Sequence, residues 1–215
     1  MNSSTQHLEL DGAAGKIEAL LDPPAGGVAS RGVAVIAHPH PLFGGTMDNK
    51  VVQTLARAFV QCGFTAVRFN FRGVGVSAGV HDEGRGEADD FLAVVAQVAS
   101  DPATPLALAG FSFGAFVTSH AAARLWGTRQ IEKLVLIGTA ASRFEVATLP
   151  VEARERTLVV HGEQDDTVPL SAVMDWARPQ TLPVTVIPGG SHFFHGQLPL
   201  LKSLVVRHLL ASPSP

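Results

Sequence analysis

The chain carries one cysteine, Cys62, which excludes an intramolecular disulfide and a cysteine-rich zinc site. A lone thiol of this kind is expected to fill core space on a helix, and it fits a reducing cytoplasm. A dense lysine and arginine stripe is also missing: 16 basic residues against 19 acidic ones give a formal charge of −3. A nucleic-acid backbone or an anionic bilayer therefore finds no electrostatic footing. No apolar run reaches the roughly 20 residues that cross a membrane, and Met1–Gln6 has neither the basic start nor the apolar centre of a signal peptide. These absences predict a soluble, cytoplasmic protein that binds neither nucleic acid nor membrane. Repeats and low-complexity tracts, which would point to a solenoid or a disordered chain, are absent as well.

What is present is enough apolar material for one large core. With 215 residues, 46% of them hydrophobic, a single domain over residues 7–210 is expected, with flexible tails at 1–6 and 211–215. Residues 7–21 read as two short strands around Asp11-Gly12-Ala13-Ala14-Gly15, an antiparallel edge. Buried strand runs then alternate with helical periods: Val33–Ala37, a helix near 48–61, Thr65–Phe69, a helix near 87–99, Leu106–Ala109 and a helix near 114–126. Lys133–Ile137, Thr157–Val160, a helix near 170–178, Val184–Ile187 and a helix near 196–210 complete the series. That rhythm predicts an α/β fold, a mostly parallel sheet of about eight strands with helices on both faces.

The chemistry centres on Gly110-Phe111-Ser112-Phe113-Gly114, which joins an apolar strand run to a run of small residues with helical character. A serine at the apex of a sharp strand-to-helix turn needs small neighbours two residues to either side, because a Cβ there would collide with flanking backbone. Its partners should lie in loops at the carboxyl ends of other strands. After Thr157–Val160 comes His161-Gly162-Glu163-Gln164-Asp165-Asp166, and after Val184–Ile187 comes Pro188-Gly189-Gly190-Ser191-His192-Phe193-Phe194-His195. Asp165 and Asp166 compete for the role of acid, His192 and His195 for that of base. The order serine, aspartate, histidine is that of the α/β-hydrolase fold.

Three further stretches, Ala37-His38-Pro39-His40-Pro41-Leu42-Phe43-Gly44-Gly45-Thr46, Phe69-Asn70-Phe71-Arg72-Gly73-Val74-Gly75-Val76-Ser77 and His161-Gly162 with Asp165 and Val168-Pro169, make the chain similar to small bacterial serine α/β-hydrolases related to dienelactone hydrolases and simple esterases. The resemblance runs over nearly all of 7–210. It implies Ser112 as nucleophile, Asp165 as orienting acid and His192 as general base, with Asp166 left as a loop residue. Dienelactone hydrolases themselves use cysteine where this chain has Ser112, so their substrate is not carried over.

An oxyanion needs two backbone donors, the first being the amide of Phe113. The second must come from the loop after Val33–Ala37, where Pro39 and Pro41 have no N–H, leaving His40, Leu42 and Phe43. Alignment from the strand end suggests His40; alignment on Phe43-Gly44 suggests Leu42, which is preferred.

Other signals are read as structural. His38 and His161 end strands and are expected to pack or hydrogen-bond. Gly73-Val74-Gly75-Val76-Ser77-Ala78 matches a dinucleotide pattern but is followed by Gly79–Gly86, which cannot open the helix that would hold a pyrophosphate. Arg72 is expected to pair with Asp89 or Asp90. The loop histidines 38, 40, 192 and 195 have no carboxylate or cysteine at metal-ligand spacing, so neither metal nor cofactor is expected. Phe43, Phe111, Phe113, Phe193 and Phe194 are expected to be partly core, with those in the loops also giving an apolar acyl pocket. Only nineteen residues, 138 to 156, separate Ile137 from Thr157, too few for a lid. The expected activity is hydrolysis of small carboxylic esters or thioesters through an acyl-enzyme. A peptidase of the same fold and an idle hydrolase-like binding protein are the rivals. A homodimer formed through the sheet edge would coexist with any of these.

Overall fold

The computed structural model describes residues 4–211, so the tail segments 1–3 and 212–215 lie outside the described residues. Gln6, expected in the N-terminal tail, already belongs to the first strand. The strands are β1 (Gln6–Gly12), β2 (Gly15–Asp22), β3 (Val33–Ala37), β4 (Thr65–Phe69), β5 (Leu106–Phe111), β6 (Ile131–Ile137), β7 (Thr157–Gly162) and β8 (Val184–Ile187). They form one sheet in the order β1-β2-β4-β3-β5-β6-β7-β8. The β1–β2 and β2–β4 pairs are antiparallel, and the rest are parallel. This is the expected mostly parallel sheet with an antiparallel N-terminal edge.

Among the described residues five α-helices cover it: α1 (Lys50–Gln61), α2 (Arg85–Val98), α3 (Phe113–Leu125), α4 (Leu170–Ala177) and α5 (Leu198–Leu210). Side chains alternate across a strand, so each central strand feeds two cores. Val33, Val35, Leu106 and Leu108 join one core with Phe91 and Val94 of α2, Val117 of α3 and Val173 of α4. Ala34, Ile36, Ala107 and Ala109 face the other, with Leu55 and Phe59 of α1 and Leu201 and Val205 of α5. Cys62 lies in this second core beside the end of α1, the filler position foreseen for it.

Helix starts differ from the expected boundaries by one or two residues, and local chemistry accounts for the shifts. Asn49 Oδ1 accepts the Val51 N–H at 2.9 Å, which starts α1 at Lys50 rather than near 48. Pro199 sits in the first turn of α5, where a missing N–H costs nothing, so the helix begins at Leu198. Between β6 and β7 the segment 138–156 forms turns and one short 3-10 helix, Val151–Arg156, with no inserted lid. No helix among the described residues is long and apolar enough to cross a membrane.

Candidate active site

Ser112 sits between β5 and α3 at φ 57° and ψ −117°, a conformation that costs a non-glycine residue about 1–3 kcal/mol. The surroundings hold it there. Its N–H donates to the Ile137 carbonyl at 2.8 Å, and its carbonyl accepts from the N–H groups of Ala115 at 3.0 Å and Ala140 at 3.3 Å. The two flanking glycines are required by close approach. A Cβ on Gly110 would run into the Gly114 carbonyl, and one on Gly114 into the carbonyl oxygens of Ala37 and His38.

His192 Nε2 lies 3.0 Å from Ser112 Oγ, and His192 Nδ1 donates to Asp165 Oδ2 at 2.7 Å. All three residues are buried. A carboxylate can only accept, so the proton is on Nδ1 and Nε2 is free to accept from the serine hydroxyl. The imidazole is packed against Phe111, with ring centroids 5.0 Å apart, and edge-on to Phe193 at 5.1 Å. The other Asp165 oxygen, Oδ1, accepts the N–H groups of Thr167 at 2.9 Å and Val168 at 2.7 Å. Burial pushes the Asp165 carboxyl up, but the bond from His192, that from the Val168 amide and the nearby imidazoles together bring it below the ordinary aspartate value.

The competing residues stand elsewhere. Asp166 is exposed and accepts only from the Thr167 hydroxyl, at 3.3 Å. His195 is exposed in the turn before α5, with its ring centroid 6.0 Å from that of Phe193. Both strand-ending histidines are buried and hydrogen-bonded, as expected. His38 Nδ1 donates to the Pro39 carbonyl at 2.6 Å and Nε2 accepts the Phe71 N–H at 3.0 Å, which ties the loop after β3 to the loop after β4. Burial pushes its pKa down to about 4. His161 Nε2 donates to the Val168 carbonyl at 2.9 Å, and burial lowers this imidazole too.

Ser112 opens onto a cavity of about 330 Å³, near the lower end for small-molecule sites, whose walls include His40, Phe43, Arg143, Thr167 and Phe193. Phe43 and Phe193 thus face the site as foreseen, whereas Phe111, Phe113 and Phe194 are fully buried in the interior. Phe113 opens α3, so its N–H has no partner within the helix and points out of a positive helix end. His40 is on the cavity wall. Leu42 is not among the lining residues: it is 69% exposed, and its N–H donates to His40 Nδ1 at 3.3 Å. Arg72 pairs with Asp90 through two 2.8 Å bonds, while Asp89 pairs with Arg124. The glycine-rich stretch at 73–79 is a turn, not a helix start. Arg143 went unnoticed in the sequence because nothing marks one arginine in the 138–156 loop as facing Ser112.

The profile of the family described as serine aminopeptidase, S33, matches residues 30–154, more than half of the chain. A crystal structure of a lidless α/β serine hydrolase from Xanthomonas campestris is similar over 99% of both chains, at 37% identity and a TM-score of 0.87. An α/β serine hydrolase homologue from Coxiella burnetii is 38% identical, with 96% of this chain and 97% of that one covered and a TM-score of 0.80. An uncharacterised protein of Rickettsia prowazekii is 30% identical over 177 residues, covering 75% of this chain and 71% of the relative.

Proposed function

We propose that this chain, which belongs to the serine aminopeptidase S33 family of α/β serine hydrolases, cleaves small carboxylic esters or thioesters through an acyl-enzyme. The observation that carries the reading is the unbroken line Asp165, His192, Ser112, with contacts of 2.7 and 3.0 Å. Ser112 Oγ attacks the acyl carbonyl as its proton passes to His192 Nε2, and the Asp165 carboxylate stabilises the imidazolium without taking the proton. The imidazolium then returns the proton to the departing alcohol or thiol. Water, deprotonated by the same imidazole, releases the acid and restores the serine.

The oxyanion is assigned to the N–H of Phe113 and, of the two candidates from the loop after β3, to that of His40. His40 lines the cavity, and the Leu42 N–H is already given to the His40 ring. Each such donor is typically worth about 3–4 kcal/mol in the transition state. Ester and thioester substrates suit the site better than an aminopeptidase substrate. An aminopeptidase must hold an α-ammonium group, and the residues lining this cavity include no aspartate or glutamate but do include Arg143.

The test is a panel of 4-nitrophenyl esters from acetate to dodecanoate, the matching thioesters and aminoacyl 4-nitroanilides. The account expects turnover of esters and thioesters with an optimum at short acyl chains, no jump in rate above the micelle concentration, and little cleavage of the anilides. An optimum at long chains, or anilides cleaved faster than esters, would refute the substrate assignment.

A further inference from the structure

The geometry points to Arg143 as an anion-binding residue inside the proposed hydrolase site, so that the preferred substrates are esters or thioesters that themselves carry a carboxylate or phosphate. The inference rests on the hydrolase reading above and narrows its substrate class.

Arg143 lies in the loop after β6 and shares the cavity wall with Ser112, His192 and His40. Its guanidinium approaches the ring of Phe43, in the loop after β3, with Cζ 6.0 Å from the ring centroid. The two loops thus meet at the rim, where an aromatic face and a cation are presented together. Among the described residues Arg143 has no carboxylate within ion-pair distance and its side chain makes no hydrogen bond. Elsewhere in the fold Arg72, Arg124 and Arg178 are each paired with an aspartate. None of the residues lining the cavity is acidic. The N-terminus of α3 adds partial positive charge at its floor.

The result is a positive cavity in a chain whose formal charge is −3. A guanidinium offers a rigid fork of donors matched to carboxylate or phosphate oxygens, and its apolar plane can rest on Phe43 while it does so. In a volume of about 330 Å³ an anion held at Arg143 leaves room for only a short spacer to the carbonyl at Ser112. The anion can belong to the acyl part or to the leaving group. The same chemistry recognises both, and the test separates them.

Two matched pairs of substrates decide the matter. The first is mono-4-nitrophenyl succinate against its methyl ester, which places the charge on the acyl side. The second is 4-acetoxybenzoate against its methyl ester, which places it on the leaving side. The expected result is a kcat/KM for the anionic member at least about tenfold above the neutral member in one pair, as a charge-assisted hydrogen bond supplies. That preference should vanish in Arg143→Gln, persist in part in Arg143→Lys and weaken as salt is raised, and Arg143→Gln should lose kcat/KM on the anionic member far more than on its neutral partner. Equal rates for charged and neutral members in both pairs, or a preference that survives Arg143→Gln, would overturn the assignment.

Binding of mono-4-nitrophenyl succinate and of 4-acetoxybenzoate to Ser112→Ala, measured by calorimetry with and without Arg143→Gln, reads the same contact without turnover. Absence of turnover of all four esters, charged and neutral, would therefore refute the hydrolase reading alone. Affinity for both anions unchanged by Arg143→Gln would refute the role of Arg143.

Discussion

His161 Nε2 stands 3.4 Å from Asp165 Oδ2, the same oxygen that accepts the hydrogen bond of His192 at 2.7 Å. His161 also donates to the Val168 carbonyl, while the Val168 amide donates to Asp165 Oδ1. The loop from 161 to 168 is thereby wound around the carboxylate and fixes the direction in which it faces His192. In His161→Phe, which keeps ring volume but no donor, the Val168 carbonyl loses its partner. The expected cost is about 1–3 kcal/mol of stability, and kcat on a neutral ester should fall about tenfold as the carboxylate loses its orientation. Urea unfolding and steady-state kinetics check both. A variant as stable and as active as the parent would show that His161 only fills space.

Stability should decline on mild acidification. An unfolded histidine titrates near about 6.5, whereas burial holds His38 and His208 down at about 4 in the folded chain. Between those values the unfolded state binds protons that the folded state refuses, so stability falls as pH drops from 6.5 and the loss levels off near 4. For the fully buried His38 it is on the order of 3 kcal/mol. His208 is only half-buried and contributes less. Asp165, whose pKa is depressed, adds stability that is lost only when pH falls through its folded value, below the ordinary aspartate range. Urea midpoints at pH 7.0 and 4.5 should differ clearly. Equal midpoints would mean that the imidazole of His38 can be protonated in place.

The oxyanion assignment separates backbone from side chain. His40 has φ −53°, within reach of the fixed proline value, so His40→Pro removes the N–H with little demand on its own backbone angle. His40→Ala keeps the N–H and removes only the ring. We expect kcat to drop about 100-fold or more in the proline variant relative to the alanine variant, at unchanged thermal stability. The same comparison at Leu42 should show no such gap, and a gap at Leu42 but not at His40 would reverse the assignment.

Gly114→Ala tests how tightly the serine turn is built. The added methyl group meets the backbone carbonyls of Ala37 and His38, which cannot move without pulling β3 out of the sheet. The variant should be insoluble or unfold at markedly lower temperature than Ser112→Ala. Normal melting together with normal activity would contradict the close approach of α3 to the loop after β3.

Much of this was legible in the residues. Val33–Ala37 and Leu106–Ala109 are apolar at every position, which only a strand buried on both faces requires, and the helices between them follow. The serine turn was readable because Gly110 and Gly114 are imposed by sterics local to it. Strand order was not readable: nothing in β2 or β4 announces that β4 is inserted between β2 and β3, because that choice depends on long-range pairing. The second oxyanion donor was not readable for a related reason. Residue spacing cannot say that the His40 ring turns back to occupy the Leu42 N–H. Arg143 was invisible because the path of a loop with little regular structure decides which side chain reaches the cavity.

The most direct test of the account is intact-mass analysis of the purified protein after treatment with a fluorophosphonate, with Ser112→Ala and His192→Ala alongside. The account predicts one adduct on the parent, none on Ser112→Ala and strongly slowed labelling of His192→Ala. A folded parent that stays unlabelled, or equal labelling of parent and Ser112→Ala, would contradict the claim that His192 activates Ser112.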